Sequence, residues 1–248
     1  MRGVPDDYYR RLHEVDTRHW WHLGMRSIEA VLLGDRLQRT GQSVLDAGCG
    51  TGGFLAWAES TGAFDRLAGS DVSAEAIELA REVVPQAELR VAPLDALPFE
   101  DAAFDLVVVE DVLQHVHQDA LDRSFAELRR VLRPDGALLI RTNGGRHARN
   151  ERVDWRLYDA PTLAHDLERG GFRPLRVTYA NMPLSAAAAF FGRTPRAPTS
   201  ASHGIPAPEG SAKTAIGSRL LALEARYLAR PGRSLPYGHT LLALAVPA

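Results

Sequence analysis

Residues 43–53, SVLDAGCGTGG, constrain this chain more than any other stretch: an apolar strand, a carboxylate and a glycine-rich turn follow one another without interruption. Ser43, Val44 and Leu45 suit a buried strand. Gly48, Gly50, Gly52 and Gly53 let the backbone bend and approach a ligand, and residues 54–60 read as the helix that opens behind them. A helix starting there aims N–H groups at whatever the turn holds. The stretch therefore reads as a nucleoside-binding turn.

Gly48, Gly50 and Gly53 also satisfy a dinucleotide fingerprint, so the glycines by themselves leave NAD and other adenosine cofactors open. Asp46 stands two residues before Gly48, where a carboxylate crowds a pyrophosphate but accepts hydrogen bonds from a turn or a cationic group. Asp71 lies 23 positions after Gly48. That is close to the roughly 20 residues expected for an acid that clasps a ribose diol. It ends the strand pattern of residues 66–70, and Ser73 reads as the N-cap of a helix over 74–82.

Downstream come VAPLDALPF at 91–99 and FDLVVVE at 104–110. Together with the glycine turn, these segments resemble the class I S-adenosylmethionine-dependent methyltransferases over residues 44–143. The resemblance implies that Asp95 contacts the adenine amino group and that residues 110–115 line the reaction site. It also implies an aromatic-rich amino-terminal segment folded over the cofactor, here HWWHLGMR at 19–26. The implied cofactor set is Trp20, Arg26, Asp46, Ala47, Gly48, Gly50, Asp71, Val72, Leu94, Asp95, Ala96 and Glu110, and the cofactor is S-adenosyl-L-methionine, with S-adenosyl-L-homocysteine as product. Acceptor contacts are expected from Tyr9, His115, Asn143 and Tyr158. Trp21 is expected to pack the cap onto the sheet. Tyr8, Tyr9 or Trp20 are candidates to face the sulfonium.

Methyl transfer is a displacement that loses charge, so positioning is the protein's main task and no catalytic triad is required. His115 is the candidate general base, because a histidine titrates near neutrality and follows the fourth strand. No metal site is expected: His117 points away from His115, and no carboxylate pattern completes a site with His19 and His22. Arg141, Arg146, His147, Arg149 and Arg152 cluster after the fifth strand and raise the option of an anionic acceptor.

Apolar strand candidates at 44–47, 66–70, 88–92, 104–110 and 136–142 alternate with helical patterns, which signals a doubly wound parallel sheet. Leu121, Phe125, Leu128 and Leu132 give residues 119–132 a helical spacing, and Pro134-Asp135-Gly136 reads as a turn. Pro161 suits the first turn of a helix ending before Gly170-Gly171. Strands six and seven are expected at 172–180 and 239–246. The resemblance implies that the last strand is antiparallel and inserted between the fifth and sixth.

The expected fold is therefore a Rossmann-like sheet of seven mostly parallel strands with an amino-terminal helical cap. Its expected divisions are a cap over the cofactor at 1–40, a cofactor-binding core at 41–180, a helical insertion at 181–237 and the final strand at 238–248. Within the insertion, 186–191 and 215–230 look helical, and the Pro/Ser/Gly/Ala-rich stretch 193–212 reads as a flexible loop, either linker or substrate lid.

A length of 248 residues fits one such domain. The formal charge of −2, without a long basic run, argues against a sequence-independent nucleic-acid binder. Cys49 is the sole cysteine, which excludes an internal disulfide and a cysteine zinc site and makes a reducing cytoplasm the expected compartment. No segment reaches the roughly 18 apolar residues of a membrane span. Lys213, the only lysine, is far from the glycine turn, so a Walker-type phosphate site is out.

The expected function is methyl transfer to oxygen, nitrogen or carbon of a small molecule, with natural-product or secondary metabolism as its setting. Residues 110–113 lack the Asn/Asp-Pro-Pro-Tyr pattern that grips planar amides and bases. Three alternatives stand beside it: an enzyme of the same fold that uses the sulfonium without transferring methyl, a nicotinamide-dependent oxidoreductase, and a catalytically silent scaffold. The acceptor and the oligomeric state are left open by the sequence.

Overall fold

Side chains alternate across the central strands, and that alternation divides the apolar residues between two faces of one sheet. Val44, Leu106, Val108, Leu139 and Leu242 share one face, while Leu45, Val107, Val109, Leu138 and Leu241 share the other. The computed structural model describes residues 7–144, 156–183, 185 and 212–248. Its seven strands are β1 (Gln42–Ala47), β2 (Phe64–Asp71), β3 (Glu88–Val91), β4 (Phe104–Glu110), β5 (Leu132–Asn143), β6 (Phe172–Ala180) and β7 (Thr240–Pro247). They lie in the order β3-β2-β1-β4-β5-β7-β6. β7 is antiparallel to both its neighbours and the remaining pairs are parallel.

The helices are α1 (Tyr8–Val15), α2 (Trp20–Leu33), α3 (Gly53–Thr61), α4 (Ala74–Val83), α5 (Gln118–Val131), α6 (Ala160–Arg169) and α7 (Ala212–Leu228). Met25, Ile28 and Leu32 of α2, Phe54 and Leu55 of α3, Ile77 of α4 and Leu221 of α7 cover the first face. Leu121, Phe125 and Leu128 of α5 and Leu163 and Leu167 of α6 cover the second. Burying each such side chain stabilises the fold by roughly 1.5–3 kcal/mol.

The helix starts follow the capping chemistry in the sequence. Ser73 Oγ accepts the Ala76 N–H at 3.2 Å, and Asp159 Oδ1 accepts the Thr162 N–H at 2.9 Å. The turn expected at 134–136 is instead an irregularity inside β5: Leu132 pairs with Phe104 and Ala137 with Leu106, so residues 133–136 face a single partner residue. The expected helix at 186–191 and the loop at 193–212 lie outside the described residues, apart from Ala212, which begins α7.

Chain order reverses between β1 and β4, and an open α/β sheet binds ligands in the crevice at the carboxyl ends of its strands where this happens. The glycine turn leaves β1 at that point.

Candidate active site

The turn after β1 is tied to β2 by main-chain bonds. The N–H groups of Gly48 and Cys49 both donate to the Ser70 carbonyl, at 2.7 and 2.9 Å. Gly48 has φ +100°, and a Cβ there would stand 2.1 Å from Val112 Cγ2, so only glycine fits. Asp71 closes the loop from β2: Oδ2 accepts the Gly50 N–H at 3.0 Å and Oδ1 the Ser73 N–H at 2.9 Å. The Tyr9 hydroxyl and the Val72 N–H stand beside this carboxylate and oppose the rise in its pKa that burial imposes.

A cavity of about 170 Å³ opens over this turn. Tyr9, Arg26, Asp46, Gly48, Gly50, Asp71, Val72, Leu94, Glu110 and His115 line it, so the structure brings these expected residues together. His115 ends a short 3₁₀ turn (Leu113–His115) after β4 and donates its backbone N–H to the Val112 carbonyl at 2.8 Å.

Six expected contacts fall outside the lining. Ala47 follows Asp46 on the strand and so faces the opposite side of the sheet, inside the core. Trp20 packs on α7, where a Cβ on Gly217 would come within 2.5 Å of its ring. Asp95 Oδ2 is held by Arg123, at 2.8 Å from Nη2 and 3.2 Å from Nε, and Ala96 is exposed. Asn143 lies at the end of β5 beside Thr240. Tyr158 is fully buried against the second face, with Arg156 Nη1 at 3.4 Å from its hydroxyl.

The other wall is a buried charge network. Glu29, with no exposed surface, accepts from Arg26 Nη1 at 2.7 Å and from Arg141 Nη1 at 2.6 Å. Arg26 also pairs with Glu110, and Arg141 Nη2 lies 3.1 Å from Glu110 Oε2. Arg141 Nε and Nη2 hold Asp111 Oδ2 at 3.0 and 2.9 Å. Asp111 itself has φ +53°, uncommon for a residue other than glycine. Arg26 stands over the Phe54 ring at 4.9 Å and Arg141 over the Trp21 ring at 5.2 Å.

Arg141 is thus engaged by three carboxylates, which removes it from the basic cluster considered for an anionic acceptor. Arg146, His147, Arg149 and Arg152 lie outside the described residues. Burial would raise the Glu29 carboxyl, but Arg26 and Arg141 hold it below the usual range. Burial pushes Glu110 up to about 7 against the opposing pull of Arg141 and Arg26. Asp46 is pushed well above the usual carboxylate range by burial and by the nearby Glu110.

Asp16 and His22 also line the cavity, and the sequence marked neither for it. Asp16 Oδ2 accepts from Thr51 Oγ1 at 2.9 Å and from the Gly53 N–H at 3.0 Å, a carboxylate on the amino end of α3. His22 Nδ1 is 3.3 Å from Asp16 Oδ1. Their contacts cross between elements, so no local pattern announces them.

Residues 45–140 match a sequence family described as a methyltransferase domain. Over 146 residues the chain is 41% identical to an uncharacterised 37.1 kDa protein in transposon TN4556 of Streptomyces fradiae, covering 56% of this chain and 39% of that protein. Over 182 residues it is 31% identical to a probable S-adenosylmethionine-dependent methyltransferase of Mycolicibacterium smegmatis, covering 69% of this chain and 63% of that one. The chain therefore spans less than two thirds of either relative. In fold it is similar to the geranyl diphosphate C-methyltransferase of Streptomyces coelicolor, at 16% identity and a TM-score of 0.60 over 98% of this chain and 86% of that one.

Strand order, crevice and glycine turn define a class I Rossmann-like fold of the kind that binds an adenosyl cofactor. The matched segment makes the chain more particular than that: residues 45–140 are a methyltransferase domain, of the kind whose methyl donor is S-adenosylmethionine.

The cavity suits that cofactor, which carries a sulfonium, an ammonium and one carboxylate. Asp16, Asp46, Asp71, Glu110 and Asp111 outnumber Arg26 and Arg141 in the lining, so the site favours a net cation. Asp46 Oδ1 is buried without a hydrogen-bond partner among the described residues, a position that calls for a donor such as an ammonium. No described helix is long and apolar enough to cross a membrane.

Proposed function

We propose that this chain catalyses methyl transfer from S-adenosylmethionine to oxygen, nitrogen or carbon of a small molecule. The observation that carries the reading is the turn itself, with Asp71 at the end of β2 and a buried Asp46 oxygen, unpartnered among the described residues, all lining one acid-rich cavity. When bound, the cofactor supplies an electrophilic methyl group on a sulfonium. Asp71 grips the ribose, Val72 and Leu94 flank the adenine, Asp46 takes the ammonium, and Arg26 lies at the methionine end. Tyr8, Tyr9 and Leu12 cover the site and exclude water. His115 stands where an acceptor proton is taken up.

In the proposed division, residues 1–40 form the cap, 41–180 the cofactor core, 181–237 an insertion and 238–248 the closing strand. A small-molecule acceptor accords with the geranyl diphosphate C-methyltransferase of similar fold, and a natural-product setting is proposed with it.

Calorimetric titration with S-adenosylhomocysteine tests the reading. Saturable one-to-one binding is expected, weakened in Asp71→Ala by about 1.5–3 kcal/mol, the usual worth of a hydrogen bond to a charged group. Absence of binding, or equal affinity in the variant, rejects the site. Release of S-adenosylhomocysteine during turnover separates methyl transfer from use of the sulfonium as a charge alone.

A further inference from the structure

Asp71 is engaged before any ligand arrives. Its two oxygens accept the N–H groups of Gly50 and Ser73, which belong to the loops it ties together. The Tyr9 hydroxyl, from the separate helix α1, stands beside this carboxylate and beside Ser73, and Tyr9 and Asp71 line the same cavity.

Independent contacts fix α1 there. Leu12 Cδ2 is 3.6 Å from where a Cβ on Gly50 would stand, so the helix rests on the turn. Asp16, one residue past its end, is latched to Thr51 and the Gly53 N–H. Arg10 Nε reaches Glu75 of α4 at 3.1 Å. With Tyr8, Tyr9, Leu12 and Asp16 in the lining, about 170 Å³ of cavity is left. Ligand pockets usually offer roughly 300–1,000 Å³.

We propose that α1 is a self-occluding plug, in which the Tyr9 hydroxyl holds the position on Asp71 that a ribose hydroxyl takes. This rests on the nucleoside reading above. A ribose diol brings two hydroxyls to the carboxylate and displaces one, so Tyr9 lowers, without cancelling, the affinity that Asp71 supplies. Tyr9→Phe keeps the ring and removes the competitor.

Calorimetry with S-adenosylhomocysteine on the full chain tests this. Tyr9→Phe is expected to bind about tenfold tighter than wild type, a modest share of a charged hydrogen bond. The gain should vanish in an Asp71→Asn background, where no carboxylate is left to contest; a gain that persists there overturns the proposal. Asp16→Asn, which loosens the latch without touching Asp71, should raise the association rate in stopped-flow fluorescence, and an unchanged rate overturns the latch. Equal or weaker binding by Tyr9→Phe, with wild type still binding, overturns the plug and leaves the cofactor reading standing. If neither wild type nor Tyr9→Phe binds, the cofactor reading falls and the plug with it.

Discussion

The two walls of the cavity are built by different means. On the nucleoside side, residues 46–53 and 71–73 make the surface from main chain, with Asp71 held by the N–H groups of Gly50 and Ser73. On the opposite side, Arg26 and Glu29 of α2, Glu110 at the end of β4, Asp111 just after it and Arg141 of β5 make it from side-chain charge, joined across 84 and 112 positions of sequence. The first wall is a product of local backbone geometry. The second exists only once α2 has docked on the sheet, and its stability is the balance of desolvation against pairing.

That contrast predicts where a lost carboxylate is felt as stability and where as affinity. Glu29→Ala leaves the buried guanidiniums of Arg26 and Arg141 short of an anion, and breaking such a buried pair costs about 3–5 kcal/mol. Urea unfolding should show this as a lower midpoint with an unchanged slope. A Glu29→Ala variant as stable as wild type would erase the distinction between the walls.

His22 sharpens the comparison because it sits among charges from both walls. Burial pushes its pKa down to about 4, with Asp16 opposing and Arg141 and Arg26 adding to the fall. Folded imidazole stays neutral where unfolded imidazole, near 6.5, takes up a proton. The stability it contributes is therefore present above pH 6.5 and lost as pH falls through about 4. Relative to His22→Gln, wild type should lose up to roughly 3 kcal/mol over that window, at 1.36 kcal/mol per pKa unit. Unfolding midpoints of the two proteins measured from pH 7 to pH 4 give the difference directly, and parallel curves would place His22 in solvent.

The same contrast explains what the sequence disclosed. The glycine turn, Asp71, the Ser73 cap and the seven strands were legible because each depends on neighbours within a few positions or on period-two alternation. The insertion of β7 between β5 and β6 came from resemblance, since strand order leaves no mark on periodicity. The charge network was not legible. Arg26 was expected in the cofactor set and does line the cavity, but nothing local showed that Glu29 and Glu110 hold it, and Arg141 was grouped with neighbouring basic residues although its partners are acids from two other segments. Ala47 failed for a simpler reason: adjacency to Asp46 on a strand is the surest way to face the other side.

Asp95 offers the finest test, because its assignment to the adenine came from resemblance and its observed partner is Arg123. That pair is on the surface, with side chains 63% and 23% exposed for Arg123 and Asp95. Arg123→Ala should therefore change unfolding stability by less than about 1 kcal/mol. If Asp95 turns to the adenine amino group once the cofactor is bound, its bond to Arg123 competes with that contact. Removing the guanidinium should then strengthen S-adenosylhomocysteine binding by about twofold, within the range of an exposed ion pair. Unchanged affinity in calorimetry would assign Asp95 to the surface pair and leave the adenine to Val72, Ala92 and Leu94, the apolar residues that line that end of the cavity.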